Sequence, residues 1–302
     1  MAAPINTLMK FLDNHEPTVE EAYEVFYPLT NGEYDDIHIA ALLATIRTRG
    51  ETFADLAGAA KAFINASRPF PITGAGILDS AGTGGDGTNT INISTGASLL
   101  VGAGGAKVIK CGNRSVSSKS GSADALEALN IPLDLDVNRA VRQFEESGFT
   151  FLYAPAYHPA VAHVMPVRRA LKVPTIFNSL GPILSPARPE FQIMGVANPK
   201  MGRTIAEVFK ELGRGRAIVM HGAGTDEIAV HGPTQVCGSC AMVISTNTPS
   251  PQKTSASPPT SSLISPVVTA RKTPSTCAAS LTIPHPRHIA MPSRPMPAQC
   301  ST

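Results

Sequence analysis

Apolar residues in the first seventy positions recur at helical intervals. Thr18-x-x-Glu21 forms a capping box immediately before an apolar-rich segment. A helical apolar stripe runs from residue 37 to 46 and stops near Gly50. Thr52 and Asp55 have the spacing that opens a further helix. The pattern therefore predicts a small N-terminal helical domain.

From residue 77 onward, short apolar runs alternate with segments of helical periodicity. Ile77-Leu78 enters a glycine-rich loop, residues 97–101 are typical of a buried helix, and Val108-Ile109 predicts the next strand. A strand predicted at residues 217–220 follows a helical segment at 205–212. Strands that alternate with helices favour a mainly parallel sheet. The second part of the chain is therefore predicted to be an α/β domain.

Length and composition predict one or two domains. The chain has 302 residues, of which 43% are hydrophobic and 16% charged, so it can bury a large core. We predict a helical domain over residues 1–72 and an α/β domain over residues 73–236. A net charge of +2 argues against a nucleic-acid partner. No apolar run reaches membrane-spanning length and no signal-peptide pattern begins the chain, so we expect no membrane partner and a cytoplasmic location.

The densest chemistry lies in the loop after the first predicted strand. Residues 79–86, Asp-Ser-Ala-Gly-Thr-Gly-Gly-Asp, stand between that strand and a helix, where amide N–H groups and the helix dipole can face an anion. Glycine permits positive φ and lets phosphate oxygens approach the backbone closely. The spacing is neither that of a P-loop nor Gly-x-Gly-x-x-Gly. Alone, the loop fits a tight structural connection equally well.

Hydroxyls and cations follow this loop. Thr90, Asn92, Ser94 and Thr95 stand at the predicted start of the next helix, where they can cap it or hold phosphate and hydrated Mg²⁺. A second polar group follows the strand at 108–109; its members are Lys110, Asn113, Arg114, Ser117, Ser118 and Lys119. Ligands of open α/β sheets bind outside the carboxyl ends of the strands, so we expect the two loops to converge. The alternative for the second group is a solvated basic loop.

Several separate motifs resemble those of the anthranilate phosphoribosyltransferases. They are residues 82–86, 92–95, 112–124, 158–160, 166–169, 175–182 and 224–227, in the order found in that family, and the resemblance spans residues 5 to 236. It implies a small helical domain hinged against a larger α/β domain of the nucleoside-phosphorylase and phosphoribosyltransferase type. It also implies that the site lies between the two domains and that residues 160–185 pack with the helical domain.

The resemblance implies a reaction and a set of site residues. The reaction transfers the phosphoribosyl group of 5-phosphoribosyl 1-diphosphate (PRPP) to anthranilate in tryptophan biosynthesis, with Mg²⁺, and releases diphosphate. The residues that it assigns to PRPP are Gly82, Gly85, Asp86, Thr90, Asn92, Ile93, Ser94, Thr95, Lys110, Asn113, Arg114, Ser115, Val116, Ser117, Ser118 and Ser122. Those that it assigns to anthranilate are Gly82, Cys111, Asn113, His158, Arg168 and Pro182, and those assigned to the metal are Ser94, Asp226 and Glu227. It further implies a homodimer.

The chemistry of this reaction suits the residues present. An aromatic amine is neutral at pH 7 and already nucleophilic, so catalysis should rest on stabilising the departing diphosphate and orienting the amine. The planar fork of Arg168 suits a carboxylate. From the residues alone, the alternatives are a surface cation for Arg168, the end of a turn for His158 and an ordinary loop for Asp226-Glu227.

Two positions depart from the family pattern. Cys111 stands where the family usually has histidine, and Asn130 where it usually has glycine. A thiol is smaller than an imidazole and is a weak donor, so the contact from position 111 to the anthranilate amine is weakened. We expect altered affinity rather than inactivity.

The C-terminal segment has a different composition. All 23 acidic residues lie at or before Glu227, and residues 238–302 are dominated by Pro, Ser and Thr. We predict that residues 237–302 are disordered. Our hypothesis is a reading-frame change at Val236, because joining the third base of each codon to the next two can turn residues 237–240 into Trp-Glu-Leu-Arg. The alternatives are a natural disordered extension and a zinc site built from Cys237, Cys240, Cys277, His285 and His288.

Two other functions remain open at this stage. Within enzymes, a related pyrimidine nucleoside phosphorylase would split a nucleoside with phosphate, although Gly-Gly-Asp together with Asn-Arg-Ser fits the transferase better. From a different class, the chain could be a remnant that binds ligand without turnover. Thymidine phosphorolysis would distinguish the first alternative, and PRPP binding without turnover the second.

Overall fold

The N-terminal part of the protein is a group of four helices. The computed structural model describes residues 2–13, 16–115 and 120–238. The four helices are α1 (Ala2–Leu12), α2 (Val19–Thr30), α3 (Asp36–Arg49) and α4 (Phe53–Asn65). This confirms the predicted small helical domain at the N-terminus.

The helix boundaries follow the predicted capping residues. Thr18 caps α2, where its Oγ1 accepts from the Glu21 N–H at 3.2 Å and its own N–H donates to the Glu21 carboxylate at 2.8 Å. Thr52 and Asp55 form the same reciprocal pair at the start of α4. Helix α3 ends at Gly50, whose φ of +95° favours glycine. Local hydrogen bonding therefore sets these helix ends.

The carboxylate of Asp55 also holds a buried ion pair. Its side chain is fully buried and accepts from Arg49 at 2.6 Å and from the Thr52 hydroxyl at 2.8 Å. Removing one partner of a buried pair leaves the other charge uncompensated. We therefore expect Asp55→Ala to lower the free energy of unfolding by about 3 kcal/mol, measured by urea denaturation followed by circular dichroism. Asp36→Ala, at an exposed position in the first turn of α3, is the control, and equal effects of the two variants would contradict the expectation.

The second part of the chain is built on one six-stranded sheet. The strands are β1 (Ile77–Gly82), β2 (Lys107–Gly112), β3 (Phe149–Tyr153), β4 (Phe191–Gly195), β5 (Arg216–Gly222) and β6 (Thr234–Gly238). Their order is β3-β2-β1-β4-β5-β6, and every pairing is parallel except that of β5 with β6. This confirms the predicted α/β domain with a mainly parallel sheet.

Helices connect these strands. They are α5 (Ile93–Ala103), α6 (Ser122–Ala128), α7 (Val137–Ser147), α8 (Ala154–Tyr157), α9 (Met165–Leu171), α10 (Phe177–Leu180) and α11 (Met201–Glu211), with 3₁₀ turns at Pro159–His163 and Gly181–Ile183. Helix α6 packs on the sheet face that carries Val108 and Phe149, whereas α7 packs on the face that carries Ile109 and Leu152. Within the described residues, no helix is both long and apolar enough to span a membrane.

Helix α5 forms as predicted, but the prediction that residues 97–101 are buried was wrong in part. Ser98 is buried, whereas the side chains of Leu100 and Val101 are 76% and 42% exposed. These two residues lie on the side of α5 that faces away from the sheet. Periodicity predicted the helix, while burial depends on the elements that pack around it.

The hydrophobic core is continuous between the helical part and the sheet. The rings of Phe63 in α4 and Phe177 in α10 meet edge to face at 5.2 Å. Ser179 donates to the half-buried Glu51 carboxylate at 2.9 Å, and Lys61 pairs with Glu211 of α11 at 2.6 Å. Residues between 160 and 185 thus contact the helical part directly.

Two further positions bear on the sequence predictions. Asn130 has a φ of +58°, in the left-handed region that glycine and asparagine tolerate best, which explains asparagine where glycine is usual. Cys237 and Gly238 belong to β6, opposite Val219 and Ile218. The described fold therefore extends two residues beyond the predicted boundary at 236. The remaining predicted tail, residues 239–302, lies outside the described residues.

Candidate active site

The glycine-rich loop after β1 meets the acidic loop after β5. The backbone N–H of Gly84 donates to Asp226 Oδ2 at 2.7 Å, and the N–H of Asp226 donates to Asp86 Oδ2 at 3.4 Å. Asp86 also accepts from the N–H and the hydroxyl of Thr88, at 3.0 and 2.7 Å. The loops after β1 and β5 are therefore linked by direct hydrogen bonds at the carboxyl edge of the parallel strands.

Glycine is required by the geometry of this loop. Gly84 and Gly85 have φ values of +65° and +79°, which favour glycine. At Gly82 the reason is space, because a Cβ there would lie 2.4 Å from the Asp226 carboxylate. Consecutive backbone N–H groups in such a loop form a cradle for anions.

A buried lysine lies beneath the loop. Lys110 ends in the space between β1 and α5, where its Nζ donates to the Ser80 carbonyl and, at 3.4 Å, to the Ser94 hydroxyl. Burial lowers the pKa of Lys110, while the charges of Asp79 and Glu227 oppose that shift. Lys110 therefore interacts with both Ser94, through a hydrogen bond, and Glu227, through its charge.

The two adjacent carboxylates after β5 are destabilised as anions. Burial, followed by repulsion from Asp226, raises the pKa of Glu227 to about 7. Burial also raises the pKa of Asp226, and the charge of Asp86 adds to the shift. A cation placed between them would relieve this repulsion.

The oxygen ligands present fit Mg²⁺. Carboxylates and hydroxyls are the ligands that this ion prefers, usually with several waters and substrate phosphates completing its shell. Ser94 and Glu227, which both interact with Lys110, and the adjacent Asp226 offer this chemistry. Within the residues described here there is no cluster of three His, Cys, Asp or Glu side chains that could enclose a metal. Carboxylate and hydroxyl oxygens of this kind can complete the shell of a Mg²⁺ ion that substrate phosphates also hold.

Polar side chains after β2 tie the second loop to the first. The amide of Asn92 donates to the Ser120 carbonyl at 3.1 Å and accepts from the Ser120 hydroxyl at 3.1 Å. The Asn113 carbonyl accepts from the Ser122 hydroxyl at 3.2 Å, and the Asn113 side chain accepts from the Arg114 N–H at 2.7 Å.

The remaining residues assigned to PRPP lie before and at the start of α5. Thr90 is exposed, and Ile93 and Thr95 lie in the first turn of α5.

Three of the predicted PRPP residues cannot be placed. Val116, Ser117 and Ser118 lie outside the described residues, as does the neighbouring Lys119. Arg114 and Ser115, directly before them, are described. The assignments of these residues to PRPP remain predictions.

The guanidinium of Arg114 contacts acidic side chains of α6. It donates to both Glu127 oxygens at 2.7 and 2.9 Å and to Asp124 Oδ1 at 3.1 Å. The other oxygen of Asp124 accepts from the N–H groups of Ser115 and Gly121, at 3.0 and 2.8 Å. One carboxylate oxygen of Asp124 thus holds the backbone at Ser115 and at Gly121, on either side of residues 116–119.

We expect Asp124→Asn to weaken PRPP binding. Replacing one acceptor oxygen by an NH₂ group removes either the Arg114 contact or the two backbone contacts, which costs about tenfold in affinity for a ligand of this loop. Isothermal titration with PRPP measures the change, and Glu127→Gln is the matched control because it leaves both backbone contacts intact. The expectation fails if the two variants bind PRPP equally well.

The residues expected at the anthranilate end lie near α8, α9 and α10. His158 is buried, and no hydrogen bond of good geometry reaches its ring nitrogens within the described residues; burial lowers its pKa. Arg168 lies over the Phe177 ring at 5.4 Å and donates to the Asn178 amide oxygen at 3.4 Å. Pro182 follows in the 3₁₀ turn at Gly181–Ile183.

Cys111 is another residue assigned to anthranilate. It is buried at the end of β2 in a cluster with Tyr157 and Leu152. Burial raises the pKa of the Cys111 thiol, so the group stays protonated at neutral pH. No hydrogen bond within the described ranges joins His158, Arg168 or Pro182 to Gly82 or Asn113. The direct contacts seen in this site therefore belong to its phosphate end.

Several residues of the site have no obvious signal in the sequence. Ser120, Asp124 and Glu127 hold the second loop, and Gly195 at the end of β4 lies against the carbonyl of Asp226. The spacing Gly121-x-x-Asp124 is that of a helix N-terminus and could have identified Asp124. Gly195 has no comparable local pattern.

Family models match both parts of the chain. The model described as "Glycosyl transferase family, helical bundle domain" matches residues 5–67, and that described as "Glycosyl transferase family, a/b domain" matches residues 74–254. A protein named anthranilate phosphoribosyltransferase from Corynebacterium diphtheriae is 73% identical over 249 residues, which is 82% of this chain and 73% of the relative. The protein of the same name from Corynebacterium efficiens is 77% identical over 76% of this chain and 67% of its own length. The chain belongs to the anthranilate phosphoribosyltransferase family.

Solved structures of anthranilate phosphoribosyltransferases share the fold. The enzyme from Thermus thermophilus matches with a TM-score of 0.73 and 42% identity over 76% of this chain and 69% of its own. The enzyme from Saccharomyces cerevisiae, in complex with PRPP and Mg, matches with a TM-score of 0.70 and 26% identity over 78% and 70%. These relatives favour the transferase over the pyrimidine nucleoside phosphorylase alternative.

Proposed function

We propose that this chain transfers the phosphoribosyl group of PRPP to anthranilate, releasing diphosphate. The observation that carries the proposal is the hydrogen bond from Gly84 of the glycine-rich loop to Asp226. The next residue, Glu227, interacts with the charge of Lys110, which donates a hydrogen bond to Ser94. This arrangement combines amide donors, a buried cation and hard oxygen ligands at one sheet edge. Family membership, with relatives of the same name at 73% and 77% identity, supports the same reaction.

The chain's own groups would act mainly on the leaving group. The glycine-rich loop and the buried ammonium of Lys110 would stabilise the negative charge that grows on the departing diphosphate. Ser94, Asp226 and Glu227 would hold Mg²⁺, which would neutralise part of the diphosphate charge when bound. Because these groups are fixed before the reaction, little reorganisation is needed during it.

The anthranilate end would bind and orient the second substrate. The guanidinium of Arg168 stays charged near neutral pH and can hold a carboxylate with two hydrogen bonds. The buried imidazole of His158 has two nitrogens that no hydrogen bond of good geometry reaches within the described residues. Together with Pro182 and Cys111, these side chains would aim the neutral amine at the anomeric carbon.

The fluorescence of anthranilate tests this function. We expect it to fall when the protein is mixed with PRPP and Mg²⁺, and to persist when EDTA replaces the metal. Thymidine phosphorolysis without anthranilate turnover would instead support the phosphorylase. PRPP binding by calorimetry without turnover would indicate a remnant that only binds ligand.

We also propose a homodimer in the cytoplasm. The family implies the dimer, and α1, α2 and α3 expose large apolar side chains, among them Met9, Tyr27 and Ile37. Such exposed apolar residues are typical of protein interfaces when they form a patch. The cytoplasmic location follows from the proposed substrates, which are cytoplasmic metabolites.

A further inference from the structure

Two polar side chains are buried side by side on the face of the sheet that carries Cys111. Asp79 of β1 pairs in register with Gln192 of β4, so both side chains lie on the same face. Each residue is 1% exposed, and within the described residues no hydrogen bond of good geometry reaches the side-chain oxygens and nitrogen of this pair. A buried carboxylate of this kind requires a compensating charge nearby.

Arg214 supplies such a charge. It lies between α11 and β5 and is 6% exposed. Burial raises the pKa of Asp79 to about 6, against the opposing effect of Lys110 and Arg214. Burial likewise lowers the pKa of Arg214 to about 10, and the charge of Asp79 opposes that shift. The two groups therefore stabilise each other's charged form inside the protein.

The same guanidinium reaches the turn next to Pro182. Nη2 of Arg214 donates to the backbone carbonyl of Ile183 at 3.4 Å in a buried contact. Ile183 is the last residue of the 3₁₀ turn that contains Pro182. Arg214 thus joins that turn to the segment that leads into β5.

We propose that Arg214 is a positioning residue that fixes the Gly181–Ile183 turn and thereby the anthranilate end of the site. The inference rests on the proposed function, because it concerns how the second substrate is placed. Arg214 touches neither substrate in this account. Its effect should therefore appear selectively in anthranilate binding.

Conservative replacement of Arg214 tests the proposal. Arg214→Lys keeps a positive charge near Asp79 but loses the planar fork that reaches Ile183. We expect the KM for anthranilate to rise about tenfold, as for the loss of one buried hydrogen bond, while the KM for PRPP changes less than twofold. Arg216→Lys, two residues along at an exposed position, should change neither constant.

A second set of variants covers the case in which Arg214→Lys does not fold. Asp79→Asn with Arg214→Gln removes both buried charges together and avoids an unpaired one. We expect this double variant to bind anthranilate more weakly, as measured by fluorescence titration without turnover. Its affinity for PRPP, measured by calorimetry, should be retained. Equal effects on both ligands, or none on anthranilate, would overturn the proposal. If the unmodified chain binds PRPP but neither binds nor converts anthranilate, the proposed function fails and this inference fails with it.

Discussion

Replacing Gly195 with alanine should abolish most of the activity of this chain. A Cβ at Gly195 would lie 1.5 Å from the carbonyl oxygen of Asp226, which is a backbone atom and cannot turn aside like a side chain. The acidic loop would have to move away from β4, taking Asp226 from Gly84 and Glu227 from Lys110. Displacements of about 1 Å at a reacting site cost about 10²-fold in rate. We therefore expect at least that loss in kcat/KM for PRPP.

The control for this prediction is an alanine where space is available. A Cβ at Gly96, on the exposed side of α5, would meet no atom within 4 Å. Gly96→Ala should retain turnover close to that of the unmodified chain, and circular dichroism should show that both variants fold. A folded Gly195→Ala variant with unchanged activity would show that the position of the acidic loop is unimportant.

Removing the charge of Glu227 should have an effect of similar size. Burial and the charge of Asp226 raise the pKa of Glu227 to about 7. A neighbouring cation would therefore strongly stabilise the charged form of this carboxylate. Glu227→Gln leaves the shape almost unchanged but removes an anionic Mg²⁺ ligand. We expect kcat to fall about 10²-fold and the Mg²⁺ concentration needed for half-maximal rate to rise. Steady-state rates over a Mg²⁺ titration measure both quantities.

Asp226→Asn should weaken PRPP binding in the absence of Mg²⁺, whereas Glu227→Gln should not. Asp226 also accepts a hydrogen bond from Gly84, so its replacement disturbs the glycine-rich loop as well as the metal ligand set. We expect weaker PRPP binding by calorimetry without Mg²⁺, which Glu227→Gln should leave intact. Glu146→Gln, at an exposed position of α7, is the control for loss of an acidic charge. Identical Mg²⁺ titrations for Glu227→Gln and the control would contradict the metal assignment.

Features encoded by neighbouring residues could be predicted from the sequence. The caps at Thr18 and Thr52 depend on residues three positions apart, and both form as expected. The approach of the loop after β2 to the loop after β1, seen in the hydrogen bonds between Asn92 and Ser120, was predictable because parallel strands place their carboxyl ends at one edge. General rules of chain geometry therefore account for the fold and for the phosphate end of the site.

Features that depend on three-dimensional surroundings could not be predicted in the same way. The exposure of Leu100 is decided by what packs beside α5 rather than by the periodicity of α5 itself. The close approach of Gly195 to Asp226 joins positions 31 residues apart with no shared motif. The link from Arg214 to Ile183 likewise has no local pattern. Such contacts form between residues that are far apart in the sequence, so no local pattern of residues indicates them.

The measurement that tests the central claim most directly is the stoichiometry of the reaction. The purified chain is mixed with PRPP, anthranilate and Mg²⁺, and diphosphate release is followed together with the loss of anthranilate fluorescence. We expect one diphosphate for each anthranilate consumed, and neither change when Mg²⁺ is removed by EDTA. Diphosphate release without anthranilate consumption, or the absence of both under saturating substrates, would contradict a phosphoribosyl transfer to anthranilate by this chain.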